Sequence, residues 1–121
     1  MPSKHFRDLI VWQKSMDLVV LIYDLIKYLP KEERFGLSDQ MRRAAVSIPS
    51  NIAEGQARGS SKYFVQFLQI ANGSKAELQT QLLLCVRLQL ITNAQIRPIF
   101  LLLEEIGRMI TSLIRNLEQE K

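Results

Sequence analysis

Seven basic side chains between residues 42 and 97 are the part of this sequence with the clearest chemical potential. Within that segment only Glu54 and Glu77 carry the opposite charge. A local excess of Lys and Arg attracts polyanions, above all the phosphate backbone of nucleic acids. We therefore predict a surface for the phosphate backbone of a nucleic acid, formed by Arg42, Arg43, Arg58, Lys62, Lys75, Arg87 and Arg97. Positive charge that only solvates the surface is the alternative.

A second group of polar residues recurs at helical spacing around Pro49. On a helix that turns by about 100° per residue, these side chains share one narrow face beside an apolar one. The interior proline removes a backbone donor and is tolerated only where the surroundings accept a kink. We predict a structural polar network in which partly buried glutamates pair with Arg43 or with hydroxyl and amide donors, formed by Arg43, Ser47, Asn51, Glu54, Ser74 and Glu77.

The sequence offers no recognisable set of catalytic or metal-binding residues. His5 is the only histidine and precedes the predicted helices, so neither a metal site of the Glu-x-x-His type nor an activated nucleophile can be assembled. Cys85 lies in an apolar run and is expected to be a buried, inert thiol. We therefore expect no enzyme activity, cofactor or metal. An acid/base role for Glu54 or Glu77 is the weaker alternative.

Helical periodicity and short polar breaks divide the chain into four amphipathic segments. The prediction is a single all-α domain over residues 1–121, an up-down-up-down antiparallel four-helix bundle with helices at about 8–29, 38–58, 61–90 and 94–119. Ser38 is the expected N-cap of the second helix. Ser60 or Ser61 is expected to cap the third, and Thr92 or Asn93 the fourth. Pro98 leaves two alternatives for the fourth helix: a start near Arg97, or an earlier start with a bend.

Composition agrees with such a bundle. Of 121 residues, 47% are hydrophobic and only 7% aromatic, which favours a core of Leu, Ile, Val and Ala. A single cysteine excludes a disulfide within the chain, and no stretch approaches the ~18 uninterrupted apolar residues of a membrane span. A cytoplasmic location without membrane contact is expected.

The apolar arcs are wider than one isolated bundle needs. The first predicted helix carries two apolar stripes, Trp12-Met16-Val19-Tyr23-Ile26 and Val11-Leu18-Ile22-Leu25-Leu29. Five consecutive apolar residues also occur at 18–22, 82–86 and 99–103. Contiguous exposed apolar surface usually marks a protein interface, so we predict a homo-oligomer, with a monomer that exposes scattered leucines as the alternative. Gly73, inside the third helix, suggests a close helix approach or a local bend.

Three stretches of the sequence resemble a known family. They are 6–14, 35–55 and 70–78, and the central one has the pattern Phe35-Gly36-Leu37-x-x-Gln40-x-x-Arg43-Ala44-Ala45-x-Ser47-Ile48-Pro49-x-Asn51-Ile52-Ala53-Glu54-Gly55. This pattern resembles the 23S rRNA intervening-sequence proteins, encoded within bacterial large-subunit ribosomal RNA genes. The accessory variability protein of diversity-generating retroelements is a related protein by the same resemblance.

The resemblance implies a four-helix bundle assembled as a closed, barrel-like homopentamer with a basic surface, and no enzymatic activity. It also implies that a relative binds nucleic acid and a reverse transcriptase. We therefore expect a non-enzymatic, oligomeric nucleic-acid-binding accessory protein. The alternative is a scaffolding oligomer whose partner is a protein such as a reverse transcriptase. Whether the partner is RNA, DNA or protein stays open at this stage.

Overall fold

A computed structural model describes residues 5–120 of the chain, and within this range it contains four α-helices and no strand. They are α1 (Ile10–Ile26), α2 (Leu37–Ala57), α3 (Ser61–Arg87) and α4 (Asn93–Gln119), with single 3-10 turns at Phe6–Asp8 and Lys31–Glu33. Each helix packs against the next, and α4 also packs against α1. The short connections at 58–60 and 88–92 make successive helices antiparallel neighbours.

The core lies along the axis of the bundle and is almost entirely aliphatic. One apolar stripe of α1 is buried along its whole length, from Val11 through Leu18 and Ile22 to Leu25, and Leu29 beyond the end of the helix is buried with it. Corresponding faces of the other helices supply Met41, Ile48, Ile52, Leu68, Leu78, Leu82, Leu103, Ile106 and Ile110, each fully buried. Burial of these side chains is the main source of the fold's stability.

The second apolar stripe of α1 lies only partly outside this core. Its members Trp12, Val19 and Ile26 are half-buried and pack against the core. Met16 and Tyr23 are exposed, as is the neighbouring Val20, which is 61% accessible. Each run of five apolar residues likewise has an exposed member, Val20, Leu83 or Leu101. The chain therefore presents more apolar surface than its own helices cover. Among the described helices, none combines the length and the apolar character that crossing a bilayer requires.

A glycine permits a close approach between helices at Gly55 rather than at Gly73. An alanine methyl group at Gly55 would stand 2.7 Å from Cβ of Phe67 and 3.1 Å from Cδ1 of Phe64, so α2 and α3 pack together only because this residue is glycine. At Gly73 the same methyl group would meet nothing within 4 Å. The prediction of a close approach at Gly73 is therefore wrong for contacts within this chain.

The starts of α3 and α4 follow the predicted caps. Ser60 Oγ accepts a hydrogen bond from the backbone N–H of Tyr63 at 3.5 Å. Thr92 forms a capping box with Gln95: the Gln95 N–H donates to Thr92 Oγ1 at 3.1 Å, and the Thr92 N–H donates to Gln95 Oε1 at 2.8 Å. This box fixes the start of α4 at Asn93, so the alternative start near Arg97 is wrong and Pro98 lies inside the helix.

The C-terminal end of α1 and the start of α2 differ from the prediction. Ser38 is not the N-cap of α2, because the helix begins one residue earlier and buries Ser38 in its first turn. Glu33 provides the capping acceptor instead, because its Oε1 accepts a hydrogen bond from the backbone N–H of Leu37 at 3.2 Å. The helix α1 ends at Ile26 instead of residue 29. After Ile26 the chain tightens into 3-10 type turns, in which the N–H of Tyr28 donates to the carbonyl oxygen of Leu25 and that of Leu29 to Ile26. Pro30 then disfavours helical geometry at Leu29.

Candidate nucleic-acid interface

A basic groove of 650 Å³ runs between α3 and α4. Its cations are Lys75 from α3 and Arg108 and Arg115 from α4, and Glu104 is the one carboxylate in its wall. Uncharged donors complete the lining, which comprises Lys75, Gln79, Glu104, Gly107, Arg108, Thr111, Ser112 and Arg115. Ammonium, guanidinium, hydroxyl and amide groups are the donors that proteins use for phosphate oxygens. The groove therefore has the chemistry of an anion site.

The spacing of arginines along α4 explains why they share one face. Arg97, Arg108 and Arg115 follow one another at intervals of 11 and 7 residues, which correspond to about three and two turns of an α-helix. The row extends over roughly 27 Å at 1.5 Å per residue. All three side chains are exposed. On α3, the side chain of Lys75 lies across Gly107 and so reaches the same groove.

Ion pairing separates the seven predicted cations into two groups. Arg42 and Arg43 both contact Asp39, at 3.6 and 2.9 Å, and Arg58 contacts Glu54 at 2.8 Å. Among residues 5–120, no carboxylate oxygen comes within 4 Å of the charged nitrogens of the others, Lys62, Lys75, Arg87 and Arg97. Only this second group keeps its charge available for a partner.

Arg58 is further occupied by aromatic contacts. Its guanidinium carbon lies 5.0 Å from the ring centre of Phe67 and 5.9 Å from that of Tyr63. These distances are within the range of cation–π attraction. The contacts and the ion pair with Glu54 hold Arg58 at the end of α2, so it serves the packing of α2 on α3.

Arg108 and Arg115 were not among the predicted binding residues. Residues 98–121 contain three basic and four acidic residues, so a count of charges by segment makes this region look neutral. The signal that reveals them is positional, because the intervals from Arg97 place all three arginines on one helical face. Of the region's acidic side chains, Glu105 is already paired with Lys14 of α1 at 3.2 Å.

The predicted polar network is formed in part, between α2 and α3. The hydroxyl groups of Ser47 and Ser74 are hydrogen-bonded at 2.8 Å. Nδ2 of Asn51 donates to the carbonyl oxygen of Ser47 at 2.7 Å and to its Oγ at 2.9 Å. Because Ser74 is buried, these bonds satisfy polar groups at the helix interface.

The charged members of that predicted network lie elsewhere. Arg43 pairs with Asp39, and Glu54 with Arg58. An Arg43–Glu54 pair is wrong because 11 residues separate them on one helix, which is about 16 Å along its axis. Glu54 and Glu77 are both exposed, so the expected partial burial of these carboxylates is also wrong.

The two other side chains with potential reactivity, Cys85 and His5, make contacts that serve the fold. Burial raises the pKa of the Cys85 thiol, with a smaller contribution from the charge of Glu33, and its Sγ contacts Sδ of Met41 at 3.7 Å. The raised pKa disfavours the nucleophilic thiolate. His5 Nδ1 accepts the Arg7 N–H in the first turn. Within the described part of the chain, no three His, Cys, Asp or Glu side chains are grouped closely enough to hold a metal ion.

Comparison with known proteins identifies the family. The profile of a family described as 23S rRNA-intervening sequence protein matches residues 7–112. A crystal structure of a Bacteroides thetaiotaomicron protein of unknown function from the S23 ribosomal protein family is 33% identical, with a TM-score of 0.81 over 88% of this chain and 99% of that chain. No curated protein gives a significant match. The chain thus belongs to the 23S rRNA-intervening sequence protein family.

Proposed function

We propose that this protein is a non-enzymatic, homo-oligomeric accessory protein that binds the backbone of structured RNA or of a DNA/RNA hybrid. The observation that carries the proposal is the convergence of Lys75, Arg108 and Arg115 on one groove, with no carboxylate within 4 Å of any of the three among the described residues. The phosphates of a nucleic acid hold condensed counterions, and an unpaired protein cation that neutralises a phosphate releases them, which favours binding.

On α4, Arg97 extends the basic surface beyond the groove, because it lies on the same helical face as Arg108 and Arg115. The intervals of 11 and 7 residues place successive levels of positive charge on this face roughly 16 and 10 Å apart. Lys62 and Arg87 of α3 are 13 and 12 residues from Lys75, so they lie on other faces of that helix, about 140° and 120° away around its axis. Charge at several levels suits a long phosphate backbone better than a single small anion, and nothing in it selects a base sequence.

Self-association is part of the same proposal. The exposed stripe of Met16, Val20 and Tyr23 on α1 is apolar surface of the kind that subunit interfaces cover. The family resemblance implies a closed homopentameric barrel. In such a ring the groove of each subunit recurs around the axis, and separate grooves become one larger basic surface. Native mass spectrometry tests this part directly, and a monomer at micromolar concentration would contradict it.

The binding proposal is tested by titration at several salt concentrations. We expect a labelled RNA hairpin and a labelled duplex DNA to bind at low salt, with log K falling linearly against log salt between roughly 50 and 200 mM. The slope counts the phosphate contacts. An absence of binding to either probe at the lowest salt would overturn the proposal, and a slope near zero would show that backbone charge does not drive the interaction.

A protein partner is the second candidate, favoured by an apolar groove at the loop end of the hairpin. This groove has a volume of 480 Å³ and includes Leu83, Ile96, Phe100 and Leu101, with Arg97 on its border. Leu83 and Leu101 are more than half exposed. A scaffolding oligomer that binds a protein such as a reverse transcriptase would use such a surface. Co-purification of one defined protein after nuclease treatment favours this candidate.

A further inference from the structure

We infer that Gly107 is a positioning residue of the basic groove: without a side chain there, Lys75 can lie across α4 and hold its ammonium group where a phosphodiester crosses the helix. The inference rests on the proposed nucleic-acid binding and assigns a specific part of it. Gly107 touches no ligand itself. It acts through the placement of Lys75.

The contact between the two residues is close. An alanine methyl group at Gly107 would stand 2.7 Å from Nζ of Lys75, 3.0 Å from Cδ and 3.2 Å from Cε, and apart from the surrounding backbone of α4 and the two adjacent residues these are the atoms nearest to that position. Carbon atoms in ordinary contact are about 3.5 to 4.0 Å apart. Gly107 is nevertheless buried. The end of the Lys75 side chain, including its ammonium group, therefore occupies the space in which any other residue would place its Cβ.

The arrangement makes sense of a glycine in the middle of α4. Glycine weakens a helix interior relative to alanine, so a position inside a long helix gains nothing from it unless close approach is needed. Here the group that approaches is the end of a lysine side chain, its ammonium nitrogen and the two methylene carbons before it, which lie over Gly107 in the wall of the groove. Because this end is held against the helix, less side-chain freedom is lost when the ammonium group meets a phosphate.

The groove then offers two kinds of cation to a phosphate backbone. Arg108 and Arg115 present planar guanidinium groups that can bind two oxygens of one phosphate, whereas Lys75 is a compact charge with three donors. With Lys75 fixed across Gly107, the positive charge spans from α3 to α4. A larger residue at position 107 would displace only the flexible end of the lysine, so the bundle would remain intact while the groove lost its charge from α3.

A double-mutant cycle with a matched control tests the inference. We compare Gly107→Ala, Lys75→Ala and the double variant with Gly73→Ala, a second mid-helix glycine whose added methyl group would meet nothing within 4 Å. The readout is the affinity for a fluorescein-labelled RNA hairpin across a salt series. Circular dichroism and native mass spectrometry confirm that each variant retains its helices and its assembly.

We expect Gly107→Ala to weaken binding by about as much as Lys75→Ala, with each variant lowering the salt slope by about one. In the Lys75→Ala background, Gly107→Ala should have no further effect. Gly73→Ala should bind as the original protein does. The inference is overturned if Gly107→Ala binds normally while Lys75→Ala does not, or if Gly107→Ala still weakens binding when Lys75 is absent.

A second readout requires no nucleic acid. In protein labelled with ¹³C at lysine Cε, the Lys75 resonance should move in Gly107→Ala and remain unchanged in Gly73→Ala. An unchanged Lys75 resonance in both variants would overturn the inference. If the original protein binds no RNA at low salt, the proposed function fails, and the lysine resonance still decides separately whether Gly107 places Lys75.

Discussion

The two helical hairpins of this bundle use their basic residues differently. In the helices of the first hairpin, α1 and α2 with their C-caps, every basic side chain has a carboxylate partner: Lys14, Lys27, Arg42, Arg43 and Arg58. Lys31 and Arg34, in the segment that connects these helices, have no such partner among residues 5–120. In the second hairpin, α3 and α4, none has one within the described residues: Lys62, Lys75, Arg87, Arg97, Arg108 and Arg115. Charge counts alone would have favoured α2, with its adjacent Arg42 and Arg43.

The comparison shows that the number of cations on a surface does not determine how many of them are free to bind a phosphate. An exposed ion pair contributes little to stability, about 0 to 1 kcal/mol. It nevertheless cancels the field that a distant phosphate would feel, and that phosphate must compete with the existing carboxylate. A polyanion should therefore contact the second hairpin, even though the helices of the first contain nearly as many basic residues.

The largest expected effect comes from neutralising each hairpin's cations in matched sets. Replacing Lys75, Arg108 and Arg115 with Gln should weaken binding of an RNA hairpin roughly 100-fold at low salt and lower the salt slope by about three. Replacing Arg42, Arg43 and Arg58 with Gln removes the same charge and should change affinity by no more than about threefold. Equal losses, measured by fluorescence anisotropy, would show that the hairpins do not differ as binding surfaces.

The hairpins also meet each other at a position that can be tested by stability. Gly55→Ala should destabilise the protein by about 1 to 3 kcal/mol, because the methyl group clashes with Phe64 and Phe67 across the α2–α3 contact. Gly73→Ala should stabilise it by about 0.5 to 1 kcal/mol. Urea denaturation at one protein concentration measures both. Unchanged stability of Gly55→Ala would mean that α2 and α3 are farther apart than the structure places them.

A pair of serine substitutions on α3 and α4 distinguishes structural from binding hydroxyls. Ser74→Ala removes the buried bond to Ser47 and should cost about 1 kcal/mol of stability without affecting RNA affinity. Ser112→Ala removes an exposed hydroxyl from the basic groove and should change stability by less than about 0.5 kcal/mol. A stability loss in Ser112→Ala as large as that in Ser74→Ala would contradict this division.

A smaller effect is expected from the acidic side chain in the groove wall. Glu104 lies beside the cations of the groove, so Glu104→Gln should raise RNA affinity about two- to fivefold at low salt, and less as salt increases. Glu118→Gln makes the same charge change near the end of α4, outside the groove lining, and should raise affinity less. If both variants gain the same RNA affinity, binding depends only on the net charge of the protein, and the groove is not the binding site.

Much of the fold was accessible from the sequence because its determinants are local. Hydrophobic periodicity marks the four helices. Ser60 and Thr92 each place a side-chain hydroxyl where it accepts a backbone N–H of the following helical turn. Pro98 was ambiguous for the same reason, since a proline is compatible with two helix starts until the Thr92–Gln95 capping box is seen. Ser38 was misassigned because Glu33, a residue outside the helix, supplies the capping oxygen.

The candidate binding site was harder to predict from the sequence, because it depends on which helices are neighbours. A helical wheel placed Arg43 and Glu54 on one face but ignored the distance along the axis, whereas Asp39 is one turn from Arg43 and pairs with it. The contact of Lys75 with Gly107 joins two helices and leaves no pattern in either one alone. Arg108 and Arg115 become part of a site only when Lys75 is placed beside them.

The smallest expected effect concerns the pH dependence of the first hairpin. The hydrogen bond from Arg43 and the charges of Arg43 and Arg42 lower the pKa of Asp39 below its ordinary 3.8, against a smaller opposing effect of desolvation. A lowered pKa in the folded state means that the ionised carboxylate stabilises the fold above pH 3.8, and that this contribution disappears as the pH falls through the folded-state pKa. Asp39→Asn should therefore reduce the loss of stability on acidification.

Urea midpoints between neutral and strongly acidic pH measure this effect, with Asp17→Asn as the control for an exposed helical aspartate that has no ion pair within residues 5–120. The same variant sharpens the comparison between the hairpins, because Asp39→Asn frees Arg42 and Arg43 without adding a cation. If RNA affinity rises beyond the gain seen in Asp17→Asn, ion pairing is what keeps α2 out of the interface. If the two gains are equal, α2 lies away from the bound backbone, and the second hairpin alone defines the binding surface.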